Sequence, residues 1–416
     1  MLKSISFLLI MPFALFGENL SQLIELSKNN KMIDSSRLSV ESTKDSYESI
    51  KNGYMPKFTL GAGYSNNSYE SSGNPQNSAK VQGLVDYTIY DGGKKANTYD
   101  SYEASIKSGG ENLEDLKNQI AIQVTNYYYN YLSYVAQKEV KLQEIEQLEA
   151  QYTRLKKFLD AGTVTEDEVQ KIISNIQTAK VALHEIDLNI ETINHNLEYV
   201  IGQSVNIENG SKVSEYDSTQ SKLRSDIKAI EFQLESLKAD AKATKSGNLP
   251  NVAFNNTYSH NELEYDDSSY STKDYNRNMA SLNLTWNVFD FDSTNKAYES
   301  AYKKYLSLKS QFEYEKNKAN VDLKLALRAY EIAKQKIESA KAGLDAANGA
   351  YKTIKAKYEA GLIDNVSYLE ALTDKYSAQS VLKVAYNDLE LKKANIIYYS
   401  GEKLEEYIKW EIWRNY

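Results

Sequence analysis

The sequence predicts an α+β chain in which a strand pair followed by a long helical hairpin occurs twice. Three observations carry that expectation. The stretch from Gly93 to Ala161 contains no proline, and no glycine falls between Gly110 and Gly162. As one helix it would be roughly 100 Å long at about 1.5 Å per residue, several times the usual length of about a dozen residues. Nearly the same stretch returns at an offset of 199, from Asp292 to Ala360, closed by Glu359-Ala360-Gly361-Leu362 as the first is closed by Asp160-Ala161-Gly162-Thr163. Ahead of each rod the pattern changes to period two, which marks strands.

Composition supports long helices and excludes several chemistries. Proline occurs only 4 times in 416 residues, and tyrosine 34 times against 10 phenylalanines and 3 tryptophans. Such a tyrosine stock suits interfaces where the ring is buried and the hydroxyl stays wet. The net charge of −8 disfavours nucleic acid, whose phosphates need a basic face. Cysteine is absent, so disulfides, thiolate metal sites and cysteine nucleophiles are ruled out. Lys3 precedes the apolar run Ile5 to Phe16, too short for a bilayer helix and laid out like a cleaved export signal, so residues 1–17 are read as a signal peptide. No later segment is apolar enough for a membrane helix, so any membrane crossing must be made by strands.

In chain order, Glu18 to Asn52 reads as a helix ended by Tyr54-Met55-Pro56, since proline disfavours helix in the residue before it. Phe58, Leu60, Ala62 and Tyr64 then alternate with Thr59, Gly61, Gly63 and Ser65, a strand at about 57–66. Asn66 to Ala79 is a polar loop, and the alternation resumes with Val81, Val85, Tyr87 and Ile89, a strand at about 80–90. Strands near ten residues long have the length needed to cross a bilayer at a tilt. Asp91-Gly92-Gly93 opens the first rod, whose seam Val124, Tyr127, Tyr131, Tyr134, Lys138, Lys141, Ile145, Leu148, Tyr152, Leu155 and Leu159 steps by three and four, the mark of a coiled coil.

After Gly162 a return helix, about 166–201, carries Ile172, Ile176, Ala179, Leu183, Ile186, Ile190, Ile193, Leu197 and Val200 in the same order. An irregular segment, 202–217, completes a first repeat of residues 18–217. The second repeat, 218–416, has a helix, strands at about 250–259 and 279–289, a polar acidic loop from Ser259 to Asn278, a rod at 292–360, a return helix at 365–400 and a tail at 401–416. Leu323, Ala326, Tyr330, Ala333, Ile337, Ala340, Leu344, Ala347, Tyr351, Ile354 and Tyr358 form its seam. Internal duplication is the strongest feature of the sequence.

Four membrane-length strands cannot close on themselves, and open edges are not tolerated in lipid. The barrel must be shared between copies. Two copies give eight strands with a side-chain-filled interior, whereas three give twelve and room for a water-filled lumen. Each strand pair begins and ends on the same side, so all helices lie on one side and both loops on the other.

Taken together these residues resemble the TolC-like outer-membrane efflux proteins over the whole mature chain. The resemblance rests on Tyr54-Met55-Pro56 and Leu249-Pro250, on Tyr90-Asp91-Gly92-Gly93, and on the turns Ala161 to Val169 and Tyr358 to Val366. It implies a homotrimer with a 12-stranded outer-membrane β-barrel continuous with a periplasmic α-helical barrel, and an equatorial collar from Gly202 to Gln220 and the tail after Gly401. It also implies a periplasmic adaptor protein, an inner-membrane transporter of RND, ABC or MFS type, contact with outer-membrane lipid, and no cofactor. The hairpin tips would be the aperture, with Glu168, Tyr358, Asp364 and Glu370 as gate residues and Gly162, Thr163, Val164, Gly361, Leu362 and Ile363 as the adaptor-docking surface. Ile363 stands where some members have an arginine, and Ser367 where they have a second acidic ring. The other reading of Glu166, Asp167 and Glu168 is that acidic side chains favour a helix N-terminus.

The tyrosine run Tyr127-Tyr128-Tyr129-Asn130-Tyr131 reads as helix packing with Tyr127 and Tyr131 on the seam, and Trp410 and Trp413 read as collar packing. His184, His195 and His260 have no carboxylate spacing that suggests a metal site, and no phosphate loop or nucleophile motif occurs. The expected function is a passive exit duct of a tripartite efflux pump or type I secretion system, not an enzyme. The other class is a periplasmic coiled-coil structural or adaptor protein with a soluble β-domain.

Overall fold

The computed structural model describes residues 17–216 and 222–410. The export signal, most of it at residues 1–16, and Trp413 lie outside the described residues. Helices α1 (Leu20–Ser27), α2 (Lys31–Gly53), α3 (Lys94–Asp160), α4 (Glu166–Ile201), α5 (Ser225–Lys245), α6 (Ser293–Glu359) and α7 (Asn365–Tyr399) alternate with strands β1 (Lys57–Asn66), β2 (Asn77–Tyr90), β3 (Ser211–Val213), β4 (Asn251–Glu264), β5 (Lys273–Thr285) and β6 (Ile408–Trp410). Both rods, α3 and α6, have 67 residues.

The predicted single helix from Glu18 to Asn52 is two helices. Asn30 interrupts it: its side-chain oxygen accepts from Met32 N at 2.8 Å while its amide donates to Val200 O at 2.6 Å. Asparagine competes with the helix by bonding backbone in this way.

Two compact units divide the described fold, and each draws on both halves of the sequence. One consists of residues up to Asp34, Glu114–Ser225 and Asn317–Tyr416, the other of Ser35–Leu113 and Asp226–Lys316.

The second unit holds an antiparallel sheet in the order β1-β2-β4-β5. Register fixes its faces. Phe58 lies opposite Val85, Ala62 opposite Val81, Phe254 opposite Leu282 and Val252 opposite Leu284, giving one apolar face. Phe58 is 79% exposed and Leu60 89%. The other face carries Gln82, Asp86, Asn255, Ser281 and Asn283, where Asn255 donates to Asp86 and Asn283 donates to Asn255 at 2.8 Å. Within this unit β1 and β5 each pair on one side only.

The β4–β5 hairpin differs from the sequence expectation. The segment Ser259 to Asn278, read as a loop, is ladder for most of its length: Ser259 pairs with Arg277, His260 with Asn276, Glu262 with Asp274 and Leu263 with Lys273. Polar residues on both faces hide the alternation there. At the other end β5 stops at Thr285, short of residue 289, and Trp286 Nε1 donates to Asn248 O at 3.1 Å instead. The turn into each rod is capped alike. Asp91 accepts from Lys95 N at 2.7 Å, and Asp290 from Thr294 N at 2.8 Å. Gly92 needs its missing Cβ, since φ is +70° and an added Cβ would stand 2.8 Å from Ser246 O.

In the first unit seven of the nine α4 seam residues are buried, and Leu183 and Ile190 are half-buried. Ile172, Ile176, Ala179, Ile186, Ile193, Leu197 and Val200 are buried, as the 4-3 spacing requires. In α6 only Ala326, Ala333 and Ile337 are fully buried. The tyrosine run needs correction: Tyr128 and Tyr129 are the buried pair, and Tyr127 and Tyr131 are half-buried. Here α3 packs on the irregular segment after α4. Tyr128 donates to Glu208 O at 2.9 Å and Tyr129 to Ser211 O at 3.1 Å, so the two rings answer to that segment and not to the helix seam. β3 and β6 form a second small antiparallel sheet.

Candidate functional site at the hairpin tips

The two helical turns have the same backbone. Gly162 N bonds Leu159 O at 2.8 Å and Thr163 N bonds Phe158 O at 2.9 Å; Gly361 N bonds Tyr358 O at 3.0 Å and Leu362 N bonds Lys357 O at 2.9 Å. This double closure places a left-handed residue after each helix, with φ of +73° at Gly162 and +71° at Gly361. Space around both glycines is open, so the requirement is conformational and not steric.

Both tips rest on one core within the first unit. Leu148, Leu155, Val169, Ile172, Tyr368, Leu369 and Leu372 are its buried members, with Tyr152, Leu159, Val164, Tyr351, Ile354 and Tyr358 packed against them. α3, α4, α6 and α7 all contribute, which explains why both rods keep their seams to the very end. Burying each leucine or isoleucine contributes about 1.5–3 kcal/mol.

A polar knot sits in this core. Gln151, buried on α3, donates through Nε2 to the hydroxyl of Tyr358 and to Oδ1 of Asn365, the latter at 3.0 Å. Asn365 is 2% exposed, and its Nδ2 has no partner among the described residues. Tyr358 stacks on Tyr368 with centroids 4.8 Å apart and planes at 19°, and the Arg154 guanidinium stands 5.4 Å from the Tyr358 ring centre. Burial pushes the Tyr358 phenol above its ordinary pKa, and the Glu168 carboxylate adds to that, while Gln151 and Arg154 oppose it. The Tyr358 hydroxyl therefore stays protonated at neutral pH. Tyr368 is raised in the same direction, first by burial and then by its contact with Tyr351.

The expected gate residues are only partly brought together. Glu168 is half-buried in the first turn of α4, and its carboxylate makes the smallest of the contributions to the raised Tyr358 phenol. Asp364 is the N-cap of α7, accepting from Ser367 N at 2.8 Å, and this bond holds its carboxyl below the ordinary value. Glu370 is exposed on α7 and forms no ion pair among the described residues. Of the docking residues, Thr163 and Leu362 are exposed, while Val164 and Ile363 are half-buried. Sequence reasoning missed Gln151, Arg154, Asn365 and Tyr368. The one available signal was the half-buried tyrosine position at Tyr358, which demands a polar neighbour.

A groove of about 1080 Å³ between α3, α6 and α7, lined by Tyr134, Gln137, Ile332, Val381 and Val384 among others, has Lys336 and Asp388 as its charged groups. No helix among the described residues is long and apolar enough to cross a membrane.

The outer membrane efflux protein family profile matches residues 23–203 and 220–401, once for each half. The chain belongs to that family. Its members are channels, so this is an outer-membrane efflux channel protein and not an enzyme, and the adaptor-like reading is set aside. Solved structures agree on the fold. The CmeC outer membrane channel of Campylobacter jejuni superposes with a TM-score of 0.82 at 17% identity, covering 92% of this chain and 86% of that one. The outer membrane protein VceC of Vibrio cholerae gives 0.82 at 14% identity, covering 92% and 96%. The open-state MtrE outer membrane channel of Neisseria gonorrhoeae gives 0.79 at 17% identity, covering 92% and 89%. No curated protein sequence matches the chain.

Proposed function

We propose that this efflux protein works as a homotrimer whose three four-stranded sheets close into one 12-stranded barrel, with the helical hairpins forming a periplasmic tunnel below it. The observation that carries this reading is the sheet itself. It has two singly paired edges, β1 and β5, and one face on which large apolar side chains, among them Phe58, Leu60, Leu282 and Leu284, are exposed. Since β1 and β5 run antiparallel within the order β1-β2-β4-β5, β5 of one copy can pair with β1 of the next, and three copies remove every edge. The apolar face then meets outer-membrane lipid, and the row Asp86, Asn255 and Asn283 faces the lumen.

In this trimer the tips form the aperture. The Gln151–Tyr358–Asn365 knot ties α3 to α6 and α7, and opening by an outward movement of α6 and α7 breaks it. Each such hydrogen bond contributes about 0.5–1.5 kcal/mol. Three copies of Glu370 near an axis would favour cations, while Glu168 acts through Tyr358. Gly162, Thr163, Val164, Gly361, Leu362 and Ile363 would receive the tips of a periplasmic adaptor, and an inner-membrane transporter of RND, ABC or MFS type would supply the energy. Residues 1–17 serve as the export signal in this reading.

Membrane fractionation followed by unheated gel electrophoresis tests the assembly. A heat-sensitive trimer in the outer-membrane fraction is expected; a monomer in the soluble fraction rejects the proposal. Glu370→Ala is expected to lower cation selectivity in planar bilayers, and an unchanged reversal potential in a salt gradient would remove Glu370 from the aperture.

A further inference from the structure

At the loop end of the β4–β5 hairpin, three side chains that the channel function does not use converge. His260 and Glu262 are two apart on β4 and so share a face, and the ladder sets Asp274 of β5 directly opposite Glu262. His260 Nε2 lies 3.5 Å from Glu262 Oε1, and His260 Nδ1 lies 3.4 Å from Asp274 Oδ1. One donor atom from each of the three fits within 4.8 Å of the other two. The next residue on that face of β5, Asn276, places its Oδ1 3.0 Å from His260 Nδ1. No lysine or arginine pairs with Glu262 or Asp274 among the described residues.

We propose that His260, Glu262 and Asp274 bind one divalent first-row transition cation of the zinc type. One imidazole and two carboxylates form a borderline-hard donor set that suits such a cation. With metal–ligand distances of about 2.0–2.2 Å, donors sharing a tetrahedral shell sit about 3.4 Å apart. The Nε2–Glu262 spacing is already of that size, and a side-chain shift brings the Asp274 carboxylate, 3.4 Å from Nδ1, round to the Nε2 side to complete the set. Asn276 supplies the outer support such a histidine needs: Nδ1–H donates to its amide carbonyl and leaves the Nε2 lone pair for the metal. The cation also removes the repulsion between two carboxylates held side by side. Three protein ligands leave a position for water. Because the ligands come from both strands, the bound cation ties β4 to β5 near the turn, beyond the rows of Phe254 and Leu282 on the same face.

The test uses the purified full chain in detergent, stripped of metal with a chelator and titrated with Zn²⁺ in a calorimeter. One Zn²⁺ per chain is expected. His260→Ala, Glu262→Gln and Asp274→Asn are each expected to weaken it at least about tenfold, the smallest loss expected when even an outer-shell partner of a ligand is removed. His195→Ala, which removes an exposed histidine 3.7 Å from Glu198 on α4, is expected to leave binding unchanged. Unaltered circular dichroism confirms that each variant is folded, and His260→Gln replaces any histidine variant that is not. Absence of a saturable site, or equal affinity in the folded His260 and Glu262 variants, overturns the proposal.

Discussion

The two hairpin tips share a backbone and differ in what they bury. The first, at Gly162, opens α4 with Glu166, Asp167 and Glu168, and its N-cap Thr165 forms no side-chain cap bond. The second, at Gly361, has no acid in the first turn of α7. It has Asp364 capping that turn and, just inside it, the buried Asn365 and Tyr368. Duplication kept the turn geometry, which glycine and two backbone hydrogen bonds determine. It did not keep the chemistry around the turn. Beyond the shared core, the first tip adds Glu166 and Asp167 facing solvent, where charges are screened. The second relies on hydrogen bonds in a desolvated core, where breaking one leaves a polar atom unpaired. A gate that must hold and release fits the second arrangement better.

The largest expected effect erases the difference between the tips. Leu372 is fully buried in the core that both share, so Leu372→Ala should destabilise both by about 2–5 kcal/mol in chemical denaturation. Destabilisation confined to α7 would mean the tips do not share a core.

Gln151→Ala comes next and acts on the second tip. It leaves the Asn365 amide and the Tyr358 hydroxyl without their partner, costing about 1–3 kcal/mol. Hydrogen exchange should accelerate in the first turn of α7 and not in that of α4. The same variant should raise open probability in planar bilayers. Equal acceleration at both tips would dissolve the contrast.

Gly162→Ala and Gly361→Ala test what the tips have in common. Both put a Cβ on left-handed backbone in open space, and each should cost about 1–2 kcal/mol. A clear inequality between the two would show that one turn is held by something beyond its backbone.

The smallest effect separates the caps. Asp364→Ala should raise exchange at Ser367 several-fold, whereas Thr165→Ala should change little in α4. The Asp364 carboxyl is held below its ordinary value, so its contribution is complete above that value and is lost as the pH falls through the lower, folded one. The two Asp364 forms should therefore differ at neutral pH and converge in strong acid.

How much of this was legible in the sequence follows from range and pattern. The α4 seam was readable because an unbroken 4-3 run of apolar residues extends from Ile172 to Val200, and Val181, Leu188 and Tyr199, which lie off that run, are exposed. The Gly162 and Gly361 turns were readable because glycine after a long helix has one structural meaning. Tyr128 and Tyr129 were not, since their burial depends on a segment some 80 residues later in the chain. The strand residues Ser259 to Glu264 were hidden because both faces are polar. Gln151, Tyr358 and Asn365 are separated by 207 and 214 residues, and only the packing of α3 on α6 and α7 brings them together.

The most direct test of the duct is single-channel recording. Purified protein is added to a planar bilayer, and its insertion is checked independently by co-flotation with liposomes of the same lipid. Discrete, uniform current steps are expected, larger or more frequent in Gln151→Ala than in the natural sequence. Protein that floats with the liposomes yet leaves the bilayer electrically silent in both forms would contradict a water-filled channel through this fold.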